Sequence, residues 1–405
     1  MQSNIVNMYN SATILLEKKK YVKAISEYKR VLKLFPNKET YLNLGNCHRA
    51  MHDNLLAVQC FRKAADEKVP YLDGKMGAYP LAINNIGLHH YASGDNTSAI
   101  VLYREAITLD NEYMDAHWNL ASALLRGGVD TEGWDEYEFR FHKTPPVKLH
   151  VDTENLKFWD GSRCRNLIIL AEQGIGDQFM WGRYFALAKQ MCTSLYIQSE
   201  GGVAEIFQLA GYNTIRSTSQ VDIDVSLDYA IPICSLSRAF GAVSGDWLRE
   251  IVPARSLSGE RLKVGIVWSG SPTHANDFYR SVAVHRFHRQ AKYASLYSLK
   301  PDFSGNKYVT GLDIGSWKDT FGWLGALDLV ISVDTSIVHA CGAAGVECWM
   351  LQPSRETDFR WGLDALGSGN EWYSSVKVYR NPNDWDFVFD RVEEELRELV
   401  GGRVV

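Results

Sequence analysis

The sequence predicts an α-helical repeat domain followed by two doubly wound α/β domains. Three observations support this fold class. Small and aromatic residues recur at matched intervals over about the first 142 positions. The helical pattern then stops at Thr144-Pro145-Pro146. After this point, two cycles of strand, turn and helix follow. Matched repeats indicate stacked helix pairs, whereas alternating strands and helices indicate parallel sheets.

The N-terminal repeat is defined by three positions that keep the same spacing along the chain. Its aromatic residues are separated by 33, 42 and 34 residues, and two sets of small residues share these intervals. The sets are Tyr28, Phe61, Tyr103 and Tyr137; Ala24, Ala57, Ala99 and Gly133; and Ala12, Gly45, Gly87 and Ala121. Small residues let paired helices approach, and the aromatic residue fills the space toward the next pair.

This pattern resembles the tetratricopeptide repeat (TPR), with about four copies in a domain at residues 1–145. The segments YLNLGNCHRAMHDNLLAVQCFRKA and INNIGLHHYASGDNTSAIVLYREAITLD carry the resemblance. Stacked copies form a superhelix whose concave groove offers a site for a protein partner or an acceptor substrate. The extra residues between the second and third copies predict a loop near Asp73-Gly74-Lys75-Met76-Gly77.

The C-terminal part shows the periodicity of parallel sheets. Residues 167–171 form a continuous apolar run, as expected of a strand that is buried on both faces. We predict two Rossmann-like domains at residues 146–255 and 256–405. Their predicted strands are 167–171, 194–198, 263–268, 327–333 and 346–351. A glycine turn over 173–177 is predicted to lead into a helix that ends near residue 189, and further predicted helices are 203–210 and 384–399.

Composition indicates ordinary globular material with a net charge of −5. The start has no basic segment leading into an apolar run, and no stretch is long and apolar enough for a membrane span. The seven cysteines include no CxxC pair, so we expect reduced thiols and a cytoplasmic location.

Positive charge is concentrated in the first repeat. Residues 1–38 contain only two acidic residues, Glu17 and Glu27, against eight basic ones. This excess favours an acidic partner, although it is also compatible with a merely solvated surface. The basic residues are Lys18, Lys19, Lys20, Lys23, Lys29, Arg30, Lys33 and Lys38.

Several familiar catalytic motifs are absent from the sequence. The segment GIGDQF fails the dinucleotide fingerprint because Phe179 stands where glycine or alanine is required. No GxxxxGK[ST], HExxH or GxSxG occurs, which removes the P-loop, zincin and α/β-hydrolase classes.

The remaining motifs resemble the heptosyltransferase-like glycosyltransferases (family 9), over about residues 155–390. The resemblance rests on LAEQGIGDQFMWGRYF, VGIVWSGSPTHANDFYRS, ALDLVISVDTSIVHACGAAG and WMLQPSRETDFRW. It implies a GT-B fold and transfer, with inversion, from a nucleotide-diphosphate sugar to an acceptor hydroxyl. It also implies no bound metal and no further cofactor.

On the acceptor side, the resemblance makes Asp177 the general base that removes the proton of the acceptor hydroxyl. The position of Asp177 at a helix start disfavours this role, because the helix dipole stabilises the ionised carboxylate. The alternative is that Asp177 only caps the helix. Gly174 and Gly176 are interpreted as a tight turn and a close backbone approach to a ligand, and Glu172 as a reserve carboxylate.

On the donor side, Asp334, Thr335, Ser336 and His339 match the DTxxxH pattern that the family places at the nucleotide diphosphate. A strand-to-helix turn suits an anion because unpaired backbone N–H groups converge there. The alternatives are that Asp334 is a plain helix cap and that His339 is a packed helix residue.

A basic residue is expected to neutralise the departing diphosphate, and Arg280 fits the position that family members use for it. Asn276 and Asp277 are interpreted as orienting the sugar or Arg280. Arg355 and Arg360 follow the last predicted strand and are further candidates for phosphate binding. For Arg280, the alternative is a solvated surface residue.

Two functions remain open from the sequence. The first is a glycosyltransferase whose repeats recognise the acceptor, which would be a glycan, a protein or a modified nucleic-acid base. The second is a non-catalytic TPR scaffold on a degenerate transferase fold. The residues do not distinguish the donor base, the donor sugar or the acceptor.

Overall fold

The computed structural model describes residues 2–128, 130–149, 156–216, 229–274, 277–352, 358–362, 372–380 and 384–402. The chain forms two compact units, Met1–Pro146 and Val147–Val405. Within the described ranges, no helix combines the length and apolar character needed to cross a bilayer.

The first unit is built from eight α-helices that pack as four successive pairs. This arrangement confirms the predicted helical repeat. The helices are α1 (Gln2–Glu17), α2 (Tyr21–Leu34), α3 (Lys38–Ala50), α4 (Asn54–Ala65), α5 (Pro80–Ala92), α6 (Asn96–Leu109), α7 (Met114–Arg126) and α8 (Asp130–Tyr137).

The repeated small and aromatic residues contact each other inside each helix pair. A Cβ atom added at Gly45 would lie 2.5 Å from Cε1 of Phe61, and one at Gly87 would lie 2.6 Å from Cε1 of Tyr103. Both distances are too short for any side chain, so glycine sets how closely these helices pack. The aromatic residues also reach the next pair, as Tyr28 packs in one cluster with Leu44 of α3.

The extra segment between the second and third pairs folds against the start of α3. Tyr71 and Tyr79 pack edge to face, and Lys38 donates to the carbonyl oxygens of Ala64 (3.1 Å) and Asp66 (2.6 Å). Lys38 is fully buried. It therefore does not contribute to the basic surface of the first repeat, which corrects the charge count from sequence.

The second unit contains two fully parallel sheets, which confirms the predicted α/β class. The first has strand order β3-β2-β1-β4, and the second has order β10-β9-β8-β5-β6-β7. The strands are β1 (Cys164–Leu170), β2 (Cys192–Ser199), β3 (Asn213–Arg216), β4 (Tyr229–Pro232), β5 (Leu262–Val267), β6 (Ala294–Ser298), β7 (Val309–Gly311), β8 (Leu329–Val333), β9 (Cys348–Gln352) and β10 (Val376–Arg380).

Helices connect these strands, as in Rossmann-like folds. They are α9 (Ile175–Trp181), α10 (Phe185–Gln190), α11 (Ala204–Leu209), α12 (Leu236–Phe240), α13 (Asp277–Arg280), α14 (Trp317–Leu324), α15 (Ser336–Ala344) and α16 (Trp385–Gly401). The helix predicted to end near residue 189 is divided into α9 and α10, and α9 begins within the predicted turn. Gly182 lies at the break, where Trp247 packs so closely that a Cβ atom would lie 2.0 Å from its ring.

Strand order determines where a ligand can bind. In each sheet, successive strands are added first on one side of the first strand and then on its other side. This switch in strand order occurs beside β1 in the first sheet and beside β5 in the second. Crevices beyond the carboxyl ends of the strands at such points are the usual ligand sites of open α/β sheets. The loops that follow β1, β5 and β8 therefore lie where a ligand is expected to bind.

Candidate functional site

A cavity of about 1000 Å³ is lined by the loops at the carboxyl ends of both sheets. The first sheet contributes the turn after β1 and the glycines after β2, and the second contributes the loops after β5, β6 and β8. Of the predicted site residues, the cavity brings together Gly174, Gly176, Asp177, Arg280, Asp334, Thr335, Ser336, His339 and Arg360.

The donor-side turn presents a helix start to the cavity. Thr335 is the N-cap residue of α15, and no side chain caps this helix. The Thr335 hydroxyl instead lies 3.2 Å from the Ser332 hydroxyl. The start of α15 thus borders the cavity without a side-chain cap, and backbone N–H groups and the helix dipole at such a position favour an anion.

Arg280 is fixed over this turn by neighbouring groups. Its Nη1 donates to the Asp334 carbonyl oxygen at 2.9 Å, and its Nε lies 3.3 Å from Oδ1 of Asp277. Its guanidinium packs against Gly270, where a Cβ atom would lie 2.4 Å from Nη2. Asp277 also accepts the Ser281 hydroxyl at 2.7 Å, so its placement matches the predicted orienting role.

Asp177 lies at the start of α9 and belongs to a buried ionic network. One carboxylate oxygen accepts the Gly174 N–H at 2.8 Å, and the other accepts Nη2 of Arg360. Arg360 also donates through Nη1 to Asp358 at 2.7 Å. The guanidinium of Arg360 therefore joins two carboxylates, and it also borders the cavity.

Burial dominates the electrostatics of Asp177 and Asp334. Burial raises the pKa of Asp177 despite the opposing effect of Arg360 and of the Gly174 N–H. Burial, together with the charge of Asp358, raises the pKa of Asp334 to about 6. The expected loss of basicity at a helix start is thus outweighed at Asp177 by removal from water.

His339 is a packed, neutral residue of α15. Its Nδ1 lies 3.0 Å from the Tyr373 hydroxyl, and its ring stacks on Trp361 with centroids 5.1 Å apart. Burial lowers its pKa to about 3, so the imidazole is uncharged at neutral pH. This environment matches the packed-residue alternative, although one face of the ring still borders the cavity.

The glycine turn before α9 differs in detail from its interpretation in the sequence. The residue with left-handed backbone is Gln173 (φ 59°), whereas Gly174 is extended. A Cβ atom at Gly176 would lie 2.8 Å from Cδ2 of His339. Gly176 therefore permits the close approach of α15, and it also lines the cavity.

Glu172 is a structural residue rather than a reserve base. Its side chain is 1% exposed and accepts the Cys234 N–H at 2.9 Å. It does not line the cavity. The predicted site residues Asn276 and Arg355 lie outside the described residues.

Three titratable residues of the cavity lining were missed from the sequence. Lys300 follows β6 and donates to the Ser269 hydroxyl at 2.8 Å, and His274 and Asp358 border the same space. Lys300 could have been found from the sequence, because it lies just after the carboxyl end of a strand, β6, in the second sheet. Across the described ranges, no group of three or more His, Cys, Asp or Glu side chains is arranged to hold a metal ion.

Comparisons with known proteins agree with the repeat. The family model described as TPR repeat matches residues 87–128. Among solved structures, YrrB, a TPR protein with an unusual peptide-binding site, is 18% identical (TM-score 0.28) over 34% of this chain and 68% of its own. No curated protein matches the chain.

Two solved glycosyltransferases are also similar to the chain. A mutant O-GlcNAc transferase from Thermobaculum terrenum is 15% identical (TM-score 0.34) over 99% of this chain and 93% of its own. The ADP-heptose LPS heptosyltransferase II of E. coli is 12% identical (TM-score 0.41) over 60% of this chain and 100% of its own. Both TM-scores are below 0.5, so neither similarity assigns an activity to this chain.

Proposed function

We propose that the chain is an inverting glycosyltransferase that moves a sugar from a nucleotide-diphosphate sugar to an acceptor hydroxyl. The observation that carries this proposal is one cavity with two opposed functions. An anion site formed by α15 and Arg280 borders it from the second sheet, and the Asp177 carboxylate borders it from the first.

The donor diphosphate would bind at the start of α15. The backbone N–H groups after Thr335, the fixed guanidinium of Arg280 and the ammonium of Lys300 supply positive charge around it. These groups are held before the ligand arrives, so little reorganisation is needed when charge develops on the leaving diphosphate.

Asp177 would accept the proton of the acceptor hydroxyl. As this O–H bond breaks, the acceptor oxygen forms a bond to the anomeric carbon, and the bond from that carbon to the diphosphate breaks on the opposite face. A carboxylate with a raised pKa is a better base than an ordinary aspartate at neutral pH. Arg360 would keep its oxygens in one orientation.

Because cationic side chains and a helix start occupy the donor side, we propose that turnover needs no metal and no further cofactor. We expect the transfer rate to be unchanged when EDTA is added to enzyme, donor and acceptor. Loss of activity in EDTA, with recovery on adding Mn²⁺, would contradict this mechanism.

We propose that the acceptor is a glycan or a protein in preference to a nucleic-acid base. The TPR unit would recognise this acceptor or a partner protein. A concave groove over four helix pairs suits an extended ligand. The seven free thiols are consistent with a reducing, cytoplasmic setting.

A non-catalytic nucleotide-binding scaffold is the second candidate function. It is favoured by one observation, namely that both Asp177 oxygens already accept a hydrogen bond. In that case the chain would bind a nucleoside diphosphate but would not transfer a sugar. Incubation with a panel of nucleotide sugars, followed by assay for released diphosphate, separates the two functions.

Nucleoside diphosphates should stabilise the chain through the start of α15. At 100 times its dissociation constant, a bound ligand adds about 2.7 kcal/mol to the free energy of unfolding. We expect thermal-shift assays with UDP, GDP and ADP to detect such a shift for at least one of them. Replacing Thr335 and Ser336 by leucine should abolish it, because the larger side chains block the backbone N–H groups.

The matched control for this variant replaces Thr97 and Ser98 by leucine. These residues are the second and third of α6, in the first turn of a helix of the first unit, and they lie far in sequence from the cavity loops. The control should keep the nucleotide shift. A shift that survives in the Thr335 and Ser336 variant would place the diphosphate elsewhere.

A further inference from the structure

The first TPR repeat carries an exposed basic face that the proposed transfer reaction does not use. Seven cations of α2 and of the turn before it are exposed, and Glu27, the one acidic residue of α2, pairs with Arg30 at 2.7 Å. We call this surface the basic face. It consists of Lys18, Lys19, Lys20, Lys23, Lys29, Arg30 and Lys33.

Two large apolar side chains lie among these cations. Val22 is 69% exposed and Leu34 is 59% exposed, at opposite ends of α2. Val22, Lys29 and Lys33 recur at helical spacing and share one side of α2. Lys23, Arg30 and Leu34 have the same spacing and share the adjacent side, about 100° further round the helix. A single exposed apolar residue needs no explanation, but apolar residues surrounded by lysines combine two kinds of attraction.

We propose that the basic face binds an anionic membrane surface, with α2 lying against the lipid headgroups. Lysines supply long-range attraction to anionic lipid, and Val22 and Leu34 supply apolar contact at the boundary with the acyl chains. Either contribution alone gives weak attachment, and both are present on this helix.

The composition of the face favours lipid over nucleic acid. Six of its seven cations are lysines, which act as point charges, whereas paired recognition of single phosphates or base edges favours arginine. A nucleic acid would also gain nothing from the exposed Val22 and Leu34. This inference does not depend on the cavity, so it stands or falls separately from the proposed function.

The test is co-sedimentation of the full chain with vesicles. We expect binding to phosphatidylcholine vesicles that contain about 30 mol% phosphatidylserine, and little binding to phosphatidylcholine alone. Raising the salt from about 0.1 M to about 0.5 M should release most of the protein, because the screening length falls from about 10 Å to a few ångström.

A four-residue variant identifies the surface. Replacing Lys20, Lys23, Lys29 and Lys33 by glutamine should weaken vesicle binding at least about 20-fold, since each lysine near an anionic surface contributes up to about fivefold. These side chains are exposed, so the fold should be retained. The matched control removes four exposed charges of the second repeat and its loop, at Arg62, Lys63, Lys68 and Lys75.

The apolar contribution is tested by Val22→Ser with Leu34→Ser. This variant should bind anionic vesicles at least about threefold more weakly while keeping the salt dependence of the parent chain. Equal loss in the control variant, equal binding to neutral vesicles, or tighter binding to duplex DNA than to anionic vesicles would each overturn the proposal.

Discussion

Asp177→Asn should lower turnover by about 10²–10⁴-fold while leaving nucleoside diphosphate binding intact. Asparagine preserves the size of the side chain and can still accept the Gly174 N–H, so α9 should begin where it does now. It cannot take the proton of the acceptor hydroxyl. The loss should therefore appear in kcat, with only a small change in the KM for the donor.

The measurement is steady-state transfer with the donor identified by thermal shift, beside calorimetric binding of the matching diphosphate. Asp95→Asn is a suitable control, since Asp95 accepts the Ser98 N–H at a helix start in the first unit. It should cost stability only. Near-full turnover in Asp177→Asn would show that this carboxylate is a helix cap and that another group is the base.

The sequence was informative where structure depends on local spacing. The intervals between Gly45, Gly87 and their aromatic partners located the helix pairs because only a residue without a side chain fits under Phe61 or Tyr103. In the same way, the apolar run that begins at Leu167 identified β1, since a strand covered on both faces has no polar position.

The sequence was less informative where a residue acts through a distant partner. Arg360 and Asp177 are 183 positions apart, so no spacing rule could join them. Burial of the Asp177 carboxylate also reversed the pKa expected from the helix dipole. The burial of Asp177 depends on packing between elements of both sheets, which the sequence does not show.

Gly176 shows a third kind of limit. A glycine beside a predicted site suggests contact with a ligand, yet here the contact is with His339. Both interpretations require a backbone without a Cβ atom, and sequence alone does not say what lies opposite. Glu172 shows the same limit. A carboxylate near a predicted site suggests a base, yet here it accepts the Cys234 N–H.

Arg360→Gln should be the most destabilising single substitution in the cavity. Its guanidinium is 8% exposed and pairs with Asp177 and Asp358. Removing one member of a buried ion pair leaves uncompensated charge, which typically costs about 3–5 kcal/mol. Arg255→Gln is the control, because Arg255 pairs with Asp319 nearer the surface, where such pairs contribute about 0–1 kcal/mol.

The same substitution should change the pH dependence of transfer. Arg360 lowers the pKa of Asp177, so its loss should raise that pKa further above the ordinary value. A base must be ionised to act, and the acid limb of the rate profile should therefore move to higher pH, with activity partly recovered as pH rises. In Arg360→Lys, which keeps the charge, the acid limb should lie closer to that of the parent chain than it does in Arg360→Gln. An acid limb at the same pH in Arg360→Gln and the parent chain would mean that the limb does not report Asp177.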